Sequence, residues 1–117
     1  MKRLGDEFIR EGEGEEKHLP LIEAPERVKA GESFEVKIRV GKEPHPSTLE
    51  HHIRWIQVFL KPENRPMLHI TTFEPGPAVV EPGFTFKMAL DRPASIYVLC
   101  YCNIHGIWEN SLEIEIS

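Results

Sequence analysis

The chain has 117 residues, 40% of them hydrophobic, which is enough for one domain with a packed core and too apolar for a disordered chain. Nineteen acidic against fourteen basic residues leave a formal charge of −5, which argues against a general nucleic-acid binder, whose surface has to be basic. No apolar run reaches the roughly 20 residues of a membrane helix, and two cysteines, Cys100 and Cys102, are too few for a disulfide scaffold.

Residues 1–19 are charged and broken by Gly5, Gly12 and Gly14, with Glu11, Glu13, Glu15 and Glu16 crowding before Lys17 and His18. A short helix over 4–11 followed by loop is the expectation. The first nine residues lack an apolar signal core, so a cytoplasmic location is expected. The chain therefore divides into an N-terminal loop segment, 1–19, carrying Glu16, Lys17 and His18, and a second part, 20–117, that holds the strands.

From Ser33 to Val40 the sequence alternates without a break: Phe34, Val36, Ile38 and Val40 on one face, Glu35, Lys37 and Arg39 on the other. That predicts a half-buried antiparallel strand, closed by Gly41. A second strand is expected from Ile53 to Leu60, where apolar residues fall on both faces and leave the core side undecided. Leu68–Phe73 and Phe84–Leu90 read as two more, separated by Pro–Gly turns. The β-branched and aromatic run after Pro93 leads into Cys102, and Leu112, Ile114 and Ile116 alternate with Glu113 and Glu115 in a closing strand. Prolines and glycines are spread through the chain and leave little room for long helices. The predicted fold is all-β, an immunoglobulin-like antiparallel β-sandwich of about seven strands.

The run that ends Cys102-Asn103-Ile104-His105 sets a thiolate and an imidazole three residues apart at a strand end, where one metal ion can be gripped from a rigid support. Cys100 and Cys102 share a strand face, a poor geometry for a mutual disulfide. Other ligands are to be sought among His18, His45, His51, His52 and His69. His45 lies between Pro44 and Pro46, whose rings stiffen the backbone and lower the entropy cost of organising an imidazole. His51 and His52 open a strand and point to opposite faces, so one of them faces any given site; alternation does not choose between them. Three histidines with Cys102 would make a tetrahedral zinc site. Two histidines, the cysteine and an axial methionine would make a blue-copper electron-transfer site, but no methionine follows His105. Four imidazoles and a thiolate exceed both recipes and suit iron with one open position.

Three stretches, Glu16-Lys-His-Leu-Pro20, Pro44-His-Pro-Ser-Thr-Leu-Glu-His-His-Ile-Arg-Trp55 and Tyr101-Cys-Asn-Ile-His-Gly-Ile-Trp-Glu109, resemble in order the signatures of the superoxide reductases, in their single-domain neelaredoxin form. The resemblance implies one mononuclear non-haem iron, cycling between Fe2+ and Fe3+, in the 20–117 domain. His18, His45, His51 and His105 would be its equatorial ligands and Cys102 the axial thiolate. Glu16 would occupy the sixth position in the oxidised state, and Lys17 would stand beside the open position in the reduced one. It also implies superoxide as substrate, a rubredoxin-like electron donor and a homotetramer. His69 matches no motif and is left on the surface. The sequence departs from the family's pattern at Leu49, at Cys100 where serine is expected, and in a short 61–83 segment.

Overall fold

The alternating run becomes β3 (Phe34–Val40), in which all four apolar side chains are buried and all three charged ones are exposed. The computed structural model describes residues 1–117, and its strands form two sheets. β3 is the middle of a three-stranded antiparallel sheet, between β1 (Pro20–Glu23) and β6 (Gly83–Met88). The second sheet has the order β2 (Arg27–Val28), β8 (Gly106–Ile116), β7 (Ala94–Cys102), β4 (Ile53–Pro62), β5 (Leu68–Phe73). Side chains of both sheets, among them Val36 and Ile38 from one and Ile56, Val58, Ile96, Val98 and Ile114 from the other, meet in a single core. At about 1.5–3 kcal/mol for each fully buried aliphatic side chain, this layer is the main support of the fold.

The expected all-β sandwich is the observed one, with corrections. There are eight strands. β1 begins at a proline and β2 is only two residues long, so neither shows a period of two to a sequence reading. β2 pairs with β8 in parallel, so the sandwich is not wholly antiparallel. β8 starts at Gly106 and takes in Trp108, well before the expected start near Leu112. The predicted helix over 4–11 is a short 3-10 turn at Leu4–Glu7. One helical turn, α1 (Glu15–His18), stands where loop was expected.

The ambiguity in the second strand has a structural cause. The pairing of β4 with β7 slips between Ile53 and Trp55, a bulge that changes which parity faces inward. Ile53 is therefore buried from an odd position, and Ile56, Val58 and Leu60 from even ones.

β7 lies between β8 and β4, and Ala94, Ile96, Val98, Cys100 and Cys102 all point into the core from it. Cys102 is thus held at the end of a central strand. The N-terminal segment is stitched onto the same region: Ile9 donates its N–H to the Ile107 carbonyl and accepts from the Glu109 N–H, both at 2.9 Å. The close approach of α1 to the end of β3 occurs at Gly41, whose φ of +85° and contact with the Lys17 backbone leave no room for a Cβ.

Candidate metal centre

Four imidazole rings, one from α1, two from the β3–β4 connection and one from the β7–β8 turn, close into a square. Ring centroids lie 4.8 Å apart for His18 and His45, 4.6 Å for His45 and His51, 5.0 Å for His51 and His105, and 4.6 Å for His105 and His18. Along each side the planes meet at between 60° and 77°, and His18 and His51 face each other across a 6.1 Å diagonal. The Cys102 thiol joins them: the donor atoms of His18, His51, Cys102 and His105 all lie within 4.8 Å of one another. His18, His45 and Cys102 are buried, His51 is half-buried and His105 is exposed.

Each ring is aimed by its own local contacts. His18 ends α1, where its Nδ1 lies 2.8 Å from the Gly14 carbonyl, and His45 Nδ1 lies 2.7 Å from the Pro46 carbonyl. Both contacts require an N–H at Nδ1, which leaves the lone pair on Nε2, as in metal-bound histidines whose second nitrogen is tied to a backbone carbonyl. Thr48 folds the next loop back on itself, accepting the His51 N–H at its hydroxyl (3.0 Å) and donating its own N–H to the His51 carbonyl (2.9 Å). His51 is thereby turned into the square. The His52 ring is turned away, its Nδ1 bonded to the Thr48 carbonyl at 3.0 Å.

Cys102 and His105 flank the turn between β7 and β8, and the His105 N–H donates to Cys102 Sγ at 3.4 Å. That bond withdraws charge from the sulfur and tunes its strength as a donor. Trp108, near the start of β8, braces one ring and the backbone of another ligand residue. Its indole stacks on His18 with a centroid separation of 5.3 Å, and its Nε1–H donates to the His105 carbonyl at 3.3 Å.

The interior of the square suits an ion. Nε2 of His45 and Nε2 of His51 are buried without a hydrogen-bond partner, an arrangement that costs free energy unless something else fills the role. His18 Nε2 lies 3.1 Å from His105 Nδ1, near the separation of two adjacent ligands on an ion with bonds of about 2.1 Å. Burial pushes the His45 imidazolium down from 6.5 to about 4, opposed by the Pro46 hydrogen bond and aided by repulsion from His18, His51 and His105. His51 is also held below its ordinary value, first by burial and then by repulsion from His105, His18, His52 and Lys17. Neutral imidazoles are the form that binds metal.

A family model described as Desulfoferrodoxin matches residues 10–111. The chain belongs to the desulfoferrodoxin family. Among its relatives, the superoxide reductase of Pyrococcus horikoshii is 39% identical, covering 93% of this chain and 97% of that protein. The neelaredoxin of Megalodesulfovibrio gigas is 36% identical over 86% of this chain and 88% of its own. The solved superoxide reductase (neelaredoxin) of Ignicoccus hospitalis superposes with a TM-score of 0.90 at 38% identity, covering 99% of this chain and all of that one.

The square brings together His18, His45, His51 and His105, with Cys102 beside it. Glu16 and Lys17 sit exposed on α1, immediately before His18. The Glu16 carboxylate stands outside the group of mutually close donor atoms, as do the ring nitrogens of His45, which joins the square by its ring position. The Lys17 ammonium is close enough to His51 to oppose its protonation. His69 is exposed on β5, its Nε2 bonded to the Thr72 hydroxyl at 2.9 Å. From the sequence Trp108 is a core or site-wall residue without a chemical role, and Thr48 is not singled out. A threonine three residues before a histidine was the available signal for Thr48, because its hydroxyl can reach forward to that N–H; nothing local marked Trp108 as a brace.

Proposed function

We propose that this chain is a superoxide reductase, which combines superoxide with one electron and two protons to form hydrogen peroxide and releases no dioxygen. The observation that carries the reading is the square of four imidazoles with a buried thiol beside it. A structural zinc site would be complete without the fourth ring. A blue-copper site would need an axial methionine, and Met88, the last in the chain, lies in β6 opposite Phe34, at the far end of that pair from Gly83.

In this reading His18, His45, His51 and His105, with Cys102 as thiolate, would hold a mononuclear iron, which would supply the electron by cycling between Fe2+ and Fe3+. Cys102 would be its strong electron donor, as thiolates are in haem proteins, and the His105 N–H would moderate that donation. Lys17 supplies a local positive charge, which draws an anion that the overall charge of −5 repels, and orients a water that delivers a proton. Glu16 would shield the bound ion in the oxidised state and withdraw on reduction; its place on a turn that follows Gly12 and Gly14 supports such a swing.

The electron donor is a rubredoxin-like protein and the assembly is a homotetramer, as the family resemblance implies, and the place of work is the cytoplasm. No helix is long and apolar enough to cross a membrane.

The test is a stoichiometric assay on iron-loaded protein. One peroxide for each superoxide consumed, without oxygen release, is the expected result. Oxygen release at half that peroxide yield would mean dismutation and overturn the proposal. Metal analysis and the visible spectrum separate the rivals: ferric thiolate is coloured and bleaches on reduction, whereas zinc is colourless.

A further inference from the structure

The strand pairing that carries Cys102 ends where the metal ligands begin. Ile53 of β4 pairs with Cys102 of β7, and one residue further on β7 turns away toward His105, so the ladder loses its next rung. Asn103 supplies that rung. Its backbone N–H donates to the His52 carbonyl at 3.2 Å. Its side-chain Oδ1 accepts the His52 N–H at 2.9 Å, and its Nδ2 donates to the Glu50 carbonyl at 3.0 Å. An amide is the group the position requires, because one side-chain end must accept and the other must donate. The orientation of the amide follows from its partners, an N–H on one side and a carbonyl on the other.

The two pieces joined in this way are each stiff. Loop 48–52 is closed by Thr48 through its bonds to His51 and to the His52 ring. Turn 102–105 is closed by the His105 N–H on Cys102 Sγ. Beyond the last strand pair, the three bonds of Asn103 set how these bodies lie relative to one another, and therefore how far His51 stands from Cys102 and His105. We infer that Asn103 is a positioning residue for the metal centre, acting by tying the His51 loop to the Cys102–His105 turn; this rests on the reading of the square as a metal site. Asn103 is not among the donor side chains of the square. Its side chain replaces one run of backbone pairing with bonds that survive the divergence of the two chains.

The experiment uses full-length protein, the Asn103→Ala and Asn103→Asp variants, and ferrous iron as the probe. In metal-free protein, Asn103→Ala should speed hydrogen exchange of the His52 amide at least about tenfold while leaving core amides such as Val98 unchanged. In iron-loaded protein it should speed loss of iron to a chelator by about ten- to a hundredfold, the range for residues that orient ligands from behind. It should also shift the ferric–sulfur absorption maximum, which a purely structural role would not move. Wild-type exchange at His52, or faster exchange with unchanged iron release and spectrum, overturns the inference. Where Asn103→Ala does not fold, Asn103→Asp decides. It keeps the acceptor for His52 and loses the donor to Glu50, so iron release should rise with His52 exchange held, and wild-type release overturns the inference. Wild-type protein that takes up no iron refutes the proposed function before any variant is made, and exchange at His52 still judges the tie.

Discussion

Gly41→Ala tests how α1 is held over the metal centre. Gly41 adopts φ +85°, and an added Cβ would lie 2.5 Å from the Glu43 carbonyl oxygen, 2.7 Å from the Lys17 oxygen and 2.8 Å from the Lys17 carbonyl carbon. All three are backbone atoms, so no side chain can swing aside. A left-handed conformation costs a residue with a Cβ about 1 kcal/mol. Relieving the contact requires α1 and the end of β3 to separate, which strains two bonds, Gly41 N–H to the Leu19 carbonyl and Glu43 N–H to the Glu16 carbonyl, both 2.9 Å. Each is worth about 1 kcal/mol net. The expected loss is about 3 kcal/mol, or roughly 10 °C in the midpoint of thermal unfolding for a chain of this size. The same movement carries His18 away from His105 and moves Lys17 off the open face, so iron release should quicken in the folded variant. Chemical denaturation of metal-free protein, with iron release to a chelator measured alongside, checks both parts. A change in stability below about 0.5 kcal/mol would show that the two segments part freely, and the account of how His18 is seated would be wrong.

Three more outcomes follow from the geometry. His45 has a lower pKa in the fold, about 4, than the 6.5 of an ordinary imidazole, so the unfolded chain takes up the proton first. Metal-free protein should therefore have its full stability from this group above about pH 6.5 and lose it as the pH falls toward 4. The loss approaches roughly 3 kcal/mol, and urea midpoints at pH 7.5 and 4.5 measure it; equal midpoints would contradict the burial argument. Lys17→Ala should slow the second-order reaction with superoxide about tenfold or more and flatten its dependence on ionic strength, measured by pulse radiolysis or stopped flow; an unchanged rate at low salt removes the electrostatic role. Trp108→Phe keeps a ring against His18 and loses the hydrogen bond to the His105 carbonyl. Stability should fall by about 1–2 kcal/mol, with faster iron loss, and unchanged iron retention would mean that the indole braces nothing.

Strand positions were readable wherever one face is buried and the other wet, because burial then writes a period of two into the residues; Phe34–Val40 is the clearest case. The alternation breaks at β4, where a bulge changes parity in mid-strand, and is missing at β1 and β2, which are too short or too proline-bound to carry a period. At the metal centre, Cys102 and His105 were legible from their spacing at a strand end, and His45 from its two prolines. Alternation left His51 and His52 equivalent and the family resemblance favoured His51. In the fold the Thr48 turn and the Asn103 tie separate their rings.

The chemistry of the donor set is local and stands in the chain itself: one thiol, several imidazoles and no later methionine narrow the metal before any fold is known. Their arrangement is not local. His18 and His105 are 87 residues apart, yet their ring nitrogens stand 3.1 Å from each other. That closeness comes from a short helix seated on Gly41, a central strand ending at Cys102, and a tryptophan that stacks on the His18 ring and bonds the His105 carbonyl. A ligand's identity is a property of one residue, whereas the closing of a square depends on where three segments are held, and the packing of the two sheets holds them.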